Sequence, residues 1–450
     1  MTTLLSILLG ILFLGIIVFV HELGHFLVAR WRKVDVEVFS IGFGPRIWGK
    51  GINGVDYRIS AIPFGGYVKM RGDSPSEIDT SDERTFYGTK PHNRVFIAFA
   101  GPFFNYLFAV IVITTIMMVG FKTIGFVPRI HVDTSKGINY FAIAGMKSGD
   151  TITKIDGIEI KTFQEIDQVL IYRMDRNVEI EYIRDGNTYK ATVFIPKNYI
   201  NNESGLGISY AAEPVIGNVV KDSPSEKAGL KENDRILSIN GRKITYFNEV
   251  SEVLSESGGK ETTIVVLRDG NKTTLKVTPK FDERNRRYII GISPKILSNE
   301  VIITEKKETN PIMAFVKGFN FANEKLVELV KGLQLLFSGK IDPQSSIAGP
   351  IRITYFLSSA IENQIAFQNL LIIVAILSMA IGIFNLIPFP GLDGWHIVLS
   401  SVEMVTKKKP SPATIRIIET IGFVAIISLI ILVLFNDIFN LLVRDLKLFR

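Results

Sequence analysis

The sequence predicts a multi-pass α-helical membrane protein with four transmembrane helices and two β-rich domains inserted between helices 2 and 3. Three observations carry that expectation. Four runs are apolar and uncharged enough to cross a bilayer, the segment between the second and third repeats itself at a fixed offset of 84 residues, and ionisable residues cluster at the end of the first run. The composition agrees: of 450 residues, 47% are hydrophobic and 21% charged, with a mean hydropathy of +0.27. Disordered chains combine low hydropathy with high net charge, so disorder is excluded. There is no cysteine, which rules out disulfides, thiol nucleophiles, iron–sulfur clusters and Cys-type zinc fingers. Any metal site must use His, Asp and Glu. The net charge of +7 is spread along the chain, as basic cytoplasmic loops would spread it, and calls for no nucleic acid partner.

The apolar runs are residues 1–20, 95–121, 365–392 and 420–435, the last needing Asn436 or the residues beyond Asp437 to complete a span. A helix needs about 20 residues to cross the hydrocarbon core. The first run lacks the basic start and small-residue cleavage site of a signal peptide, so it is read as a span. Arg30, Arg32 and Lys33 follow it, and Lys407, Lys408 and Lys409 separate the third and fourth runs. The positive-inside rule then places loops 30–94 and 400–416 in the cytoplasm, and segment 122–364 and both termini on the other side.

In the long segment Ala144-Gly145 recurs as Ala228-Gly229, and Asp150, Ile152 and Ile155 as Asp234, Ile236 and Ile239. Gly157 matches Gly241, and Arg184-Asp185-Gly186-Asn187 returns as Arg268-Asp269-Gly270-Asn271. Runs such as DTITKIDG and DRILSING alternate apolar and polar residues as half-buried strands do. Asp-Gly-Asn between two strand-like runs predicts a hairpin. FQEIDQVL and FNEVSEVL each space their apolar residues as a short helix. Beyond the repeats, 311–337 starts at Pro311 and carries helical periodicity. It suits either an amphipathic helix against the membrane or the third span, or a helix packed on the repeats.

The sharpest local signal is His21-Glu22-Leu23-Gly24-His25. On a helix, positions i and i+4 share a face, so both imidazoles can reach one tetrahedral zinc, with Glu22 beside a metal-activated water as general base. Ionisable groups at the end of an apolar span are costly and are functional by default. A catalytic zinc takes a third protein ligand, and none lies nearby in sequence. Asp393 follows a long uncharged run in Asn385-Leu386-Ile387-Pro388-Phe389-Pro390-Gly391-Leu392-Asp393-Gly394, where two prolines break the helix. The rival account of Asp393 is an N-cap for a helix starting near Trp395, and His396 is the rival third ligand. His92 and His131 read as loop or domain-surface histidines.

The repeats resemble PDZ domains of the form carried by bacterial membrane proteases, with AGMKSGDTITKIDG and AGLKENDRILSING as the signature. HELGH with NLIPFPGLDG, and AGPFFN in the second span, resemble site-2 proteases, the intramembrane zinc metalloproteases. The tandem PDZ-like pair is similar to bacterial members that serve the envelope stress response. The resemblance implies that His21, His25 and Asp393 hold one Zn2+ per chain and that Glu22 is the base. It gives Asn385 a role in holding substrate backbone or the developing oxyanion; the rival account is a polar helix end. Gly42-Phe43-Gly44-Pro45 and Tyr57 to Met70 match the family's membrane-associated β segment, whose edge would take up unwound substrate as an added strand. Gly65 and Gly66 would there allow close backbone approach, unless they serve turn flexibility alone.

The expected organisation is 1–126 with helices 1 and 2 and the β segment, PDZ domains at 127–211 and 212–296, a connector with an amphipathic helix at 297–364, and helices 3 and 4 in 365–450. The implied substrates are single-span membrane proteins, of the anti-sigma-factor type trimmed beforehand by an upstream site-1 protease, and remnant signal peptides. Membrane lipid is the other implied partner. The implied location is the inner membrane, with the PDZ pair and both termini periplasmic and the active site near the cytoplasmic side. Two other classes compete: a non-catalytic PDZ scaffold that binds peptide tails, and a metal transporter. The transporter would need several intramembrane acids or histidines in line, and the spans offer one cluster.

Overall fold

A computed structural model describes residues 2–439 except 75–76, 136, 198, 200–204, 283–286, 341–351, 355–356 and 358–366. Part of the expected 297–364 connector and the extreme C-terminus lie outside the described residues. The chain divides into two compact units, one made of 1–121 with 305–450 and the other of 122–304.

The first unit is built on helices. α1 (Thr2–Trp31) is followed by strands β1 (Val36–Ile52) and β2 (Val55–Met70), then α2 (Pro91–Val119). After residue 305 come α7 (Pro311–Phe337), α8 (Phe367–Asn385), α9 (Asp393–Thr406) and α10 (Pro412–Phe439). Among the described residues, four stretches are long and apolar enough to span a membrane: Leu8–Trp31, Pro91–Val119, Phe367–Asn385 and Pro412–Phe435. The expected spans are therefore present with shifted limits. α1 runs on to Trp31, so the HELGH motif sits within a helical span and not at its end.

α2 is the central helix. Gly24 of α1 lies against it so closely that a Cβ there would sit 2.5 Å from the Ala100 carbonyl oxygen. On its other side Gly382 of α8 faces Pro102 and Asn105, so small residues let three spans approach closely, as membrane helices require. α7 packs along the C-terminal half of α2, with Gly318 against Thr114 and Tyr106 Oη donating to Asn323 Oδ1 at 2.9 Å. Its apolar face joins the core of Ala109, Val110, Ile113, Ala314, Ala322 and Met379. Of the two expectations for 311–337, packing against the span helices is the one found.

β1 and β2 form a sheet of four strand segments. Val38 to Ile41 pair on one side with Asp56 to Ile59 and on the other with Gly66 to Lys69, while Trp48 to Gly51 cover the outer side of Asp56 to Ile59. Gly66 to Met70 is thus an outer strand, with no strand beyond it among the described residues. Gly65 (φ +139) and Gly66 are both sterically required. A Cβ would fall 2.3 Å from the Phe43 ring at the first and 2.7 Å from the Ser40 oxygen at the second.

In the second unit, β6-β5-β7-β8 and β12-β11-β13-β14 form two four-stranded antiparallel sheets. Here β5 is Thr151–Ile155, β6 Ile158–Glu159, β7 Arg176–Arg184 and β8 Asn187–Ile195; β11 is Arg235–Ile239, β12 Arg242–Lys243, β13 Thr262–Arg268 and β14 Asn271–Val277. The sequence offset of 84 carries into the fold, as Thr151 and Arg235 each open the corresponding strand. The recurring residues have one use. Asp150 takes two hydrogen bonds from Arg184, whose Nη2 also reaches the Gly145 carbonyl, and Asp234, Arg268 and Gly229 repeat the arrangement. Each Asp-Gly turn has both residues at positive φ, 49 and 79 degrees for Asp185 and Gly186, which is the hairpin geometry the dipeptide favours.

The repeats meet through His131, which is buried and not a surface residue as expected. Its Nε2 lies 2.8 Å from Glu252 and its Nδ1 3.1 Å from Ser148 Oγ. His92 is exposed.

Candidate active site

α1 presents His21 and His25 on one face, with Nε2 atoms 3.1 Å apart. The carboxylate of Asp393, first residue of α9, comes to both: Oδ2 is 3.1 Å from His21 Nε2 and 3.3 Å from His25 Nε2. Ligand atoms on a tetrahedral zinc with bonds of about 2.0–2.1 Å lie about 3.3–3.4 Å apart, so this triangle has the size of one face of such a site. The N-cap position of α9 falls on Leu392, so Asp393 is the first residue of the helix and not its cap. Its buried Oδ2 has no hydrogen-bond partner, which is how a carboxylate oxygen kept for a metal would stand. Among the described residues, the group able to hold an ion is His21, His25 and Asp393.

The ring nitrogens turned away from the triangle are also engaged. His25 Nδ1 lies 2.8 Å from the Ile97 carbonyl oxygen, to which it can only donate. In the neutral ring that leaves Nε2 free of hydrogen and turned to the triangle. His21 Nδ1 is 3.2 Å from the side-chain amide of Asn105. Gly101 lies between them: a Cβ would sit 2.3 Å from His25 Nε2 and 2.8 Å from His21 Cε1. Neither Asn105 nor Gly101 was singled out from sequence. AGPFFN contains both, but only the packing of α2 on α1 gives them a role.

A cavity of about 450 Å³ opens on the triangle. Glu22, Gly65, Gly66, Tyr67, Asn385 and His396 are among its walls. Gly66 lies against Glu22, a Cβ there falling 3.6 Å from Glu22 Cγ, so the outer strand runs directly beside that side chain. Asn385 ends α8 with its side-chain nitrogen 3.5 Å from His21 Nε2. At the far wall Asp73 accepts from the Met70 N–H at 2.7 Å, and burial pushes its carboxyl up to about 6. His396 is not one of the three clustered donors; it stands edge-on to Phe86, with Nδ1 3.5 Å from Tyr87 Oη. Burial lowers its pKa.

α9 is held in place from two sides. Fully buried Arg94 of α2 pairs with Glu403 of α9. Glu419 of α10 receives hydrogen bonds from Trp395 Nε1 at 3.1 Å and Tyr87 Oη at 2.9 Å.

This is a carboxylate-and-histidine triangle set among helices long and apolar enough to span a membrane, with a glutamate beside it. Residues 9–429 match the profile of peptidase family M50. The "Regulator of sigma E protease" of Haemophilus influenzae is 31% identical, with 96% of this chain and 98% of that protein aligned. The "Regulator of sigma-E protease RseP" of Salmonella typhimurium is 28% identical over 95% of this chain and 97% of its own length. A candidate zinc metalloprotease of Treponema pallidum is 29% identical over 96% and 99%. The chain belongs to peptidase family M50, the site-2 proteases. It is an intramembrane zinc metalloprotease, and its cofactor is Zn2+. The scaffold alternative is set aside by this membership.

Proposed function

We propose that the chain is an inner-membrane endopeptidase cutting single-span membrane proteins within or near the span, close to the cytoplasmic face. His21, His25 and Asp393 would hold one zinc ion, with Glu22 as general base. The observation that carries this reading is the donor triangle, with edges of 3.1, 3.1 and 3.3 Å, opening on a cavity that Glu22 also lines. When bound, zinc supplies Lewis acidity, polarising the scissile carbonyl and lowering the pKa of water to about 7.

The chain's own residues do the rest. Glu22 takes the proton of the attacking water and returns it to the departing amide nitrogen. Asn385, whose amide nitrogen stands 3.5 Å from His21 Nε2, donates to the carbonyl oxygen as that oxygen gains charge. A transmembrane helix hides its carbonyls in i to i−4 bonds, so substrate must first unwind. The outer strand from Gly66 to Lys69 offers replacement hydrogen bonds beside Glu22, with Gly65 and Gly66 keeping that path clear of side chains.

The names of the Haemophilus and Salmonella relatives support substrates of the anti-sigma-factor type, trimmed beforehand by a site-1 protease; remnant signal peptides share the same single-span form. We infer that the repeats at 127–211 and 212–296 are PDZ domains on the periplasmic side, with both termini on that side. Basic residues after the first span and between the last two support this orientation.

The test uses membranes holding this chain and a tagged single-span reporter without its outer domain. Glu22→Gln keeps both histidines, and the expected result is cleavage reduced by at least about 10²-fold with zinc retained. Equal product from both chains would overturn the assignment of the base.

A further inference from the structure

Asn105 sits in the middle of α2 with none of its surface exposed. Its backbone carbonyl accepts from Ser378 Oγ of α8 at 3.2 Å, and Gly382 of the same helix packs on its Cβ. The side chain therefore has no room to turn toward water. As placed, its Nδ2 faces His21 Nδ1 at 3.2 Å while its Oδ1 is buried without any partner. The oxygen and nitrogen of an amide are told apart only by their hydrogen bonds. Exchanging them sets Oδ1 against His21 Nδ1 and provides the one group that ring lacks. An imidazole that offers Nε2 as a lone pair carries its hydrogen on Nδ1, and that hydrogen needs an acceptor.

We propose that Asn105 is a positioning residue for the metal centre: its Oδ1 accepts the Nδ1 hydrogen of His21, fixing the ring's tautomer and aiming Nε2 at the zinc. His25 receives the same service from the Ile97 carbonyl at 2.8 Å. The two rings are thus steered by one helix, once through backbone and once through a side chain. Only the second can be removed by substitution. The inference rests on His21 being a ligand, as proposed above.

The experiment measures zinc affinity of the full-length chain in detergent by competition with a chromophoric chelator. Asn105→Leu keeps the bulk and deletes the acceptor, while Asn105→Asp keeps an acceptor. The expected result is zinc binding weakened about 10–100-fold in the leucine variant, with the aspartate variant back within a few-fold of the parent. Unchanged affinity in the leucine variant would overturn the proposal, as would equal weakening in both, which would mark a packing role. His21→Ala separates the two levels: if it binds zinc like the parent, the ligand assignment itself fails. If it loses zinc while Asn105→Leu does not, only the role of Asn105 fails. Should the leucine variant not fold, 15N-histidine spectra of the parent chain decide. A solvent-protected Nδ1 hydrogen on His21 is expected, and the Nε2 tautomer would refute the proposal.

Discussion

Gly101 stands against both imidazoles of the proposed metal centre, on a helix that contributes no donor to it. A single Cβ there would stand 2.3 Å from His25 Nε2, well inside van der Waals contact, and α2 has little room to back away because Gly382 of α8 is packed against Pro102 and Asn105. Gly101→Ala should therefore displace the imidazoles while leaving the helices formed. Misplacement of a reacting group by about 1 Å costs on the order of 10²-fold, so reporter cleavage should fall at least that far. Zinc content of the purified variant should fall with it, and a variant with full zinc and full activity would refute the argument. His21 and His25 were legible in sequence because i and i+4 spacing is a local rule, and Asp393 because a lone acid after a long apolar run stands out. Gly101 and Asn105 were not, since their importance comes from contacts between residues far apart in sequence. His131 was misread for the same reason: its partner Glu252 lies in the other repeat.

Asp393 reaches the histidines because α9 is fixed as an element. The chain breaks at Pro388 and Pro390 after α8, and α9 restarts at Asp393, so nothing in the local backbone aims its first residue at α1. Part of the aim comes from Arg94, fully buried, pairing with Glu403 further along α9, beside the bond from Trp395 to Glu419. Removing one partner of a buried ion pair costs about 3–5 kcal/mol, whereas replacing both with apolar residues is often neutral. Arg94→Met should lower unfolding stability in detergent by that amount and weaken zinc binding, and adding Glu403→Leu should recover most of both. A single variant as stable as the parent would show that α9 is held some other way. Periodicity made these helices visible but could not reveal which helix α7 packs on, because an amphipathic face does not name its partner. The hairpins of the two four-stranded sheets were legible, as their alternation and Asp-Gly turns are local signals repeated twice, whereas short strands such as Phe121–Phe126 and Val301–Lys306 carry no such signal and were not read. Pairing of Val38–Ile41 with strands on both sides was not, since one strand's pattern does not say how many neighbours it has.

At the scale of the whole molecule, the second unit is entered and left at one place. β3 (Phe121–Phe126) and β18 (Val301–Lys306) are neighbours in a two-stranded ribbon, and the Val127 N–H donates to the Glu300 carbonyl at 3.0 Å. The repeats therefore hang from a closed loop, and residues 127–296 can be removed and the ends joined by a short linker without parting the ribbon. The proposed metal donors, the proposed base and the outer strand all belong to the other unit. If the repeats act as a size filter, a chain lacking 127–296 should still cut a trimmed single-span reporter at a rate close to the parent's. It should also cut a reporter that retains a bulky outer domain, which the parent leaves intact. Measuring product from both reporters with both chains separates the possibilities. Loss of all cleavage would mean the repeats support the protease unit itself. Unchanged discrimination between the two reporters would sink the filter and place substrate selection within the membrane unit, at the cavity and its outer strand.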